Sequence, residues 1–212
     1  EVWVTDVDGT NQRQFTSGPN NSWSPEWTPD GNLSFLSLRK EHNKFTQIYT
    51  IPTDGGEAVP LTSHSGSVSS YSWSPNGRWI AYISKDKISI EEQERRIEGY
   101  DMIVMGKEQL YNRLWIFDLE TKSHETIFRQ DLNVSNFVWS PDSKFIIFQA
   151  SEKVNIDKEY LESSIYLVKA PSGNPRKIID TPGKLGSMSI SPNNEQLAFL
   201  GAVSKNDPLA QT

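Results

Sequence analysis

The sequence predicts an all-β chain assembled from four-stranded antiparallel units. Three observations carry that prediction. A turn motif occurs four times, as Trp27-Thr28-Pro29-Asp30-Gly31, Trp73-Ser74-Pro75-Asn76-Gly77, Trp139-Ser140-Pro141-Asp142-Ser143 and Ile190-Ser191-Pro192-Asn193-Asn194. Each copy leads into an apolar, β-branched and aromatic run: Leu33–Leu38, Trp79–Ile83, Phe145–Ala150 and Leu197–Val203. A run of that kind after a tight turn reads as one arm of a hairpin. Between the copies lies a second apolar strand, centred on Trp3, Tyr49, Trp115 and Tyr166. The spacing is the third observation. A constant 12 residues separate these aromatics from the apolar positions Phe15, Leu61, Ile127 and Ile178, and a constant 26 separate them from the next turn proline. Only the interval from turn proline to next aromatic varies, at 20, 40 and 25 residues. A fixed register with one elastic joint is a structural repeat.

Each repeat supplies four short strands. Strand A ends at the turn motif, B is the apolar run, C is the aromatic strand and D is the short segment after it. Four strands in roughly 40–50 residues make one blade of a β-propeller. The runs are apolar at consecutive positions, as expected of sheets covered on both faces. Strands B and C are too short and too β-branched to be helices. The fold class is therefore a β-propeller segment of three full blades and two half-blades.

Taken in order, residues 1–17 supply C and D alone. Residues 22–63, 67–129 and 134–180 are full blades, and 185–203 supply A and B alone. Residues 1–212 thus form a single propeller domain or an arc of one. The terminal halves either join into one composite blade or stay apart as an arc; the start within a strand C and the resemblance given below favour the arc. Its open blade edges are expected to template self-association. Because the chain begins inside a strand C, the absence of a leader sequence says little.

The A–B and C–D turns are uniformly tight. Large variation is confined to the B–C connections, Arg39–Thr46, Lys85–Asn112 and Ser151–Ser163. Insertions accumulate where loops carry function on a rigid scaffold. The longest, 86–112, has a charged core around Glu91 to Arg96. It places Arg95, Arg96, Glu98, Tyr100 and Asp101 as candidate substrate or interdomain contacts. The plainer reading is a solvated loop whose charges face water. Tyr100 and the Met102–Met105 run are too apolar for a free loop and should pack on the rim or on a partner.

Composition excludes several classes. A net charge of −6 and the absence of a basic patch following the repeat argue against nucleic acid. No apolar run approaches the ~20 residues of a membrane span. The chain has no cysteine, which leans towards a reducing, cytoplasmic setting and removes thiolate metal sites. His42, His64 and His124 lie in different blades without metal-ligand spacing, so they read as surface histidines, with His124 on the opposite rim from the other two. No metal and no cofactor is implied. No Gly-x-Ser-x-Gly nucleophile elbow occurs, so no catalytic residue is assigned. The turn Asp and Asn residues are read as serving a positive φ. Trp27, Trp73 and Trp139 are expected to be buried between blades, and the four strand-C aromatics to be core.

The turn motif and the apolar run after it resemble the propeller repeat of the periplasmic TolB protein. They equally resemble the N-terminal propeller of prolyl oligopeptidase-family serine peptidases. The stretch Phe35–Thr62 looks like a blade of the acylaminoacyl-peptidase group, as does the long charged insert before Leu114–Lys122. The likeness covers nearly the whole chain. It implies a non-catalytic propeller that gates or filters short peptides for an α/β-hydrolase domain of the same parent chain. The alternative it implies is a TolB-like interaction propeller with no enzymatic role. The glutamate pair with which dipeptidyl peptidases hold a free amino terminus is not matched by Glu91-Glu92, which lack flanking aromatics.

Overall fold

The computed structural model describes residues 1–17, 20–39, 44–87, 110–155, 161–180 and 183–203. The repeat becomes three four-stranded antiparallel sheets. The first orders β3 (Ser22–Trp27), β4 (Leu33–Ser37), β5 (Gln47–Ile51) and β6 (Val59–Pro60) side by side. The second orders β7 (Val68–Trp73), β8 (Trp79–Lys85), β9 (Asn112–Asp118) and β10 (His124–Thr126). The third orders β11 (Asn133–Trp139), β12 (Phe145–Ser151), β13 (Ser164–Lys169) and β14 (Arg176–Asp180). The half-units are two-stranded sheets, β1 (Trp3–Val4) with β2 (Arg13–Gln14), and β15 (Leu185–Ile190) with β16 (Leu197–Gly201).

The described chain divides into two compact units. One comprises 1–84 and 115–125, the other 85–114 and 126–212. Within the first unit two cores lie between successive sheets. Val2 packs with Leu33, Phe35, Tyr49 and Ile51. Leu36 and Ile48 pack with Val68, Tyr71, Ile80, Tyr82 and Phe117. Residues adjacent in β4 thus serve different cores: Phe35 faces one neighbour and Leu36 the other. This is why the strand is apolar at consecutive positions. In the second unit Ile147 and Ile165 pack with Met188, flanked by Ile178, Leu185 and Leu197.

A hydroxyl closes each A–B turn. Ser74 Oγ donates to Asn76 Oδ1 (2.8 Å) and accepts from the Trp79 amide (2.9 Å). Asn76 Oδ1 also accepts the Arg78 amide. Ser140 with Asp142, and Ser191 with Asn193, repeat the arrangement. Thr28 donates to Asp30 in the first sheet. The turn Asp and Asn are therefore hydrogen-bond acceptors, not the residues with positive φ. Positive φ falls one position later, at Gly31, Gly77, Ser143 and Asn194.

The first of these turns is one residue shorter than the others. The Thr28 amide bonds Asn32 O, whereas Ser74, Ser140 and Ser191 reach Trp79, Phe145 and Gln196. Trp27 accordingly pairs with Leu33, while Trp73 pairs with Ile80 and Trp139 with Ile146.

Burial of the three tryptophans departs from expectation in one case. Trp139 is buried and Trp73 is half-buried, but Trp27 is 57% exposed. The reason is what lies opposite. Trp73 Nε1 donates to Ser34 Oγ on β4, the strand B of the preceding sheet. Trp27 faces the side of β1 and β2, a sheet without strands A and B. The same absence leaves Trp3 57% exposed, whereas its counterparts Tyr49 and Tyr166 are buried.

Gly77 is constrained twice. Its φ is +73°, and a Cβ added to it would stand 2.9 Å from Pro29 Cβ. Gly31 has φ +84° and open space around it. Gly31→Ala should cost about 1–2 kcal/mol, the penalty of an L-residue in the left-handed region. Gly77→Ala should cost roughly 1–3 kcal/mol more, because Pro29 must move. Denaturant unfolding of the two variants checks this, and equal losses would show that the Pro29 contact is soft.

Candidate functional site

The five insert residues singled out in the sequence, Arg95, Arg96, Glu98, Tyr100 and Asp101, lie outside the described residues, as does His42. The structure does describe the base from which the insert rises. The Asp86 amide donates to Tyr111 O (2.8 Å), joining the two ends. Arg113 Nε donates to both oxygens of Asp86 (3.0 and 3.1 Å). Its Nη2 meets Asp131 Oδ1 at 2.7 Å, Nη1 reaches Gln130 O at 2.8 Å, and the guanidinium lies 4.8 Å from the Tyr111 ring centroid. Burial opposes this charge, but the hydrogen bonds and charges of Asp86 and Asp131 outweigh it and hold the guanidinium above its usual range. A fork with two carboxylates and one carbonyl is a rigid clamp, which lysine could not reproduce. It fixes where the insert leaves the sheet.

A second cluster brings together residues that the sequence placed apart. The Tyr82 hydroxyl lies 3.0 Å from His64 Nδ1 and 2.9 Å from His124 Nδ1. His64 is buried and His124 half-buried, so neither is the surface histidine expected, and the two are not on opposite rims. Both meet the middle of β8. The Trp115 ring stacks on Tyr82 with centroids 6.3 Å apart and meets the His64 ring edge-on at 4.4 Å.

What draws His64 inward is Gln47, which is fully buried. Its Oε1 accepts the His64 amide (2.8 Å) and the Thr62 hydroxyl (2.9 Å), and its Nε2 donates to His64 O (2.9 Å). One side chain thereby satisfies the connection between β6 and β7 that would otherwise bury bare backbone groups.

A phenol has one proton to donate. One imidazole therefore accepts it at Nδ1 while the other donates its own Nδ1–H to the phenol oxygen. With both rings neutral, the two histidines are opposite tautomers. Burial pushes the Tyr82 phenol up and holds His124 below the usual imidazole range. Both shifts favour the neutral forms of Tyr82 and His124. Among the described residues no group of three His, Cys, Asp or Glu side chains could hold a metal ion.

A third feature went unnoticed in the sequence. Glu26 on β3 points toward β7, where its Oε2 accepts the Trp73 amide over a long 3.4 Å. Beside it Ser34 Oγ lies 3.0 Å from the Tyr71 hydroxyl, which in turn donates to Ser24 O (2.9 Å). Ser24 has φ +51° and sits in a bulge between Trp23 and Glu26. Burial pushes the Glu26 carboxyl up to about 7, and the Trp73 amide offsets this only in part. A lone glutamate in a strand gives no periodic signal. The signal that could have marked it is an extra Trp-Ser-Pro, Trp23-Ser24-Pro25, directly before the first turn motif.

These sheets are propeller blades. The solved structures that resemble the chain place it in that fold. A TolB protein from Agrobacterium tumefaciens superposes with a TM-score of 0.62 at 22% identity, covering 93% of this chain and 65% of that one. An acylaminoacyl peptidase from Pyrococcus horikoshii gives 0.60 at 15% identity, over 96% of this chain and 31% of that one. An oligogalacturonate lyase from Vibrio parahaemolyticus gives 0.63 at 15% identity, over 94% and 52%. No protein-family model matches.

Two relatives found by sequence carry peptidase names. The uncharacterised peptidase YuxL of Bacillus subtilis is 26% identical over 165 residues, 71% of this chain and 25% of the relative. Dipeptidyl-peptidase 5 of Porphyromonas endodontalis is 21% identical over 94% of this chain and 32% of its own length. The chain thus spans a quarter to a third of the peptidases it matches. The resemblance read from the turn motif, to the propellers of peptidases and of TolB, holds.

Two outcomes follow from the buried polar groups. Tyr82→Phe removes the shared hydroxyl and leaves two imidazole nitrogens facing a ring edge, which should cost about 1–3 kcal/mol in urea unfolding. Glu26 supplies a pH signature. Its folded pKa is raised from 4.5 to about 7, so the folded state holds the proton more tightly than the unfolded state. Its stability contribution is complete below about 4.5 and is lost as pH rises through about 7. The lowered His124 acts in the opposite direction, so the comparison must be with Glu26→Gln, in which His124 cancels. The stability of the parent relative to Glu26→Gln should fall between those two pH values; a flat difference refutes the buried carboxyl.

Proposed function

We propose that the chain is the non-catalytic propeller part of a serine peptidase of the prolyl oligopeptidase family, gating or filtering short peptides for an α/β-hydrolase domain of the same parent chain. The observation that carries this reading is the pair of peptidase relatives, matched along most of this chain but over only a quarter to a third of their own lengths. The absence of a Gly-x-Ser-x-Gly elbow from all 212 residues agrees with it, since the nucleophile must then lie elsewhere. The clamp at Arg113 suits a filter, because it joins Asp86 and Tyr111, the residues on either side of the insert, to the sheet. Insert residues Arg95, Arg96, Glu98, Tyr100 and Asp101 are the proposed contacts with peptide or hydrolase domain. The lack of cysteine fits a cytoplasmic location.

A second reading is favoured by the TolB likeness, whose 22% identity accompanies the broad coverage of both chains. In it the chain is a protein-interaction propeller without enzymatic partners, and its open blade edges make contact with other chains. The two readings differ in what the gene should encode and in what the purified chain should do.

The test is a turnover assay with chromogenic acyl-peptide and dipeptide substrates. The purified chain alone should show none, while the parent protein should cleave short peptides. Deleting 88–109 from the parent should raise kcat/KM for long peptides relative to short ones. A parent gene without a Gly-x-Ser-x-Gly segment would favour the interaction module. Turnover by the isolated chain that is lost on His64→Ala would overturn both readings.

A further inference from the structure

Glu26 poses a problem that neither the fold nor the proposed function absorbs. It is a half-buried carboxyl that has no lysine or arginine ion-paired with it among the described residues. A carboxylate withdrawn from water without a counter-charge is costly, and its one hydrogen bond is the long one from the Trp73 amide. Of the groups that face it from β4 and β7, Ser34 and Trp73 do not titrate. Tyr71 does, but burial pushes it up and keeps it neutral.

The strand register shows what stands beside it. Glu26 pairs with Ser34 and Trp23 pairs with Leu36, two residues apart on β4. Ser34 and Leu36 share a face, so the Trp23 and Glu26 side chains share it too. That face looks toward β7, because Ser34 bonds the Tyr71 hydroxyl and the Trp73 indole. The bulge at Ser24 keeps the two side chains in this relation although their positions are three apart in sequence. Trp23 is 39% exposed, so the face opens to solvent at that ring.

We propose that this face is a binding site for an organic ammonium ion, with the cation on the Glu26 carboxylate and its apolar body on the Trp23 ring. A cation supplies the missing counter-charge. An ammonium group is a better fit than a metal ion, because one carboxylate offers no further hard ligands here. The exposed indole adds cation–π and apolar contact, for which tryptophan is the best of the aromatic side chains. The occupant is thus a primary amine carrying an aryl or alkyl group. Because binding needs the carboxylate ionised, the affinity should rise with pH up to about 7, where Glu26 titrates, and level off above it.

The probe is phenethylammonium, titrated into the whole chain by tryptophan fluorescence at pH 5 and pH 8, with 2-phenylethanol as its neutral counterpart. Binding should be saturable at pH 8, at least roughly tenfold tighter than at pH 5, and roughly tenfold tighter than that of the alcohol. Glu26→Gln keeps the shape and removes the charge, so it should fold normally and lose the pH dependence and most of the affinity. Trp23→Ala should weaken binding while leaving the pH dependence in place. Equal binding by Glu26→Gln, equal binding of the alcohol, or no saturable binding at pH 8 each overturns the proposal. None of these results bears on whether a parent protein cleaves peptides, so the site and the peptidase reading fail separately.

Discussion

The hydroxyl that precedes each turn proline is the contact on which the sheets depend. By donating to the turn Asp or Asn and, in the last three turns, accepting an amide at the start of strand B, it sets where strand B lies relative to strand A. Everything downstream inherits that register: which strand residues meet across the sheet, and which face of each strand a ring occupies. In the last three turns the amide reached is five residues on, and the ladders agree. In the first turn the Thr28 hydroxyl donates instead to the Asn32 carbonyl, four residues on, and the pairing partner of the tryptophan shifts with it. A one-residue change in a strand register exchanges inside for outside unless something compensates. Here the residues of strand B move by one along with the turn, so Phe35 takes the place held by Tyr82 and Phe148, each stacked on a strand-C ring.

The architecture was legible because it is periodic. The turn motif, the aromatic strand and the constant steps of 12 and 26 residues are repeated physical requirements, and repetition separates them from chance. The features that are not periodic were the ones missed. His64 and His124 are 60 positions apart with no shared motif. They meet only because Gln47, a polar residue in an apolar strand, turns the backbone after β6 inward. Glu26 was hidden for a related reason: its significance lies in what is absent around it, and sequence cannot show the lack of a counter-charge. Trp27 was misjudged because burial belongs to a pair of sheets, and the motif speaks for one.

The two polar sites in the first unit show opposite ways of handling a titratable group away from water. At Tyr82 the chain supplies partners, two histidines share a single hydroxyl, and burial favours the neutral forms of Tyr82 and His124. At Glu26 it supplies one distant amide and leaves the charge to be settled by pH or by a visitor. The first arrangement spends polar groups on cohesion. The second keeps a reserve of unfavourable energy at an accessible seam, which is where binding sites are commonly made.

The contact between Gly77 and Pro29 reaches beyond its own turn. The proline that shapes one hairpin occupies the space a side chain would need on the next, so the two sheets are keyed to each other at their tips. The positions equivalent to Gly77 carry serine at 143 and asparagine at 194. Blades of this chain are consequently not interchangeable parts. Moving the third blade behind the first would bring a serine side chain against that proline. A duplication that copied the second blade in place would meet no such obstacle.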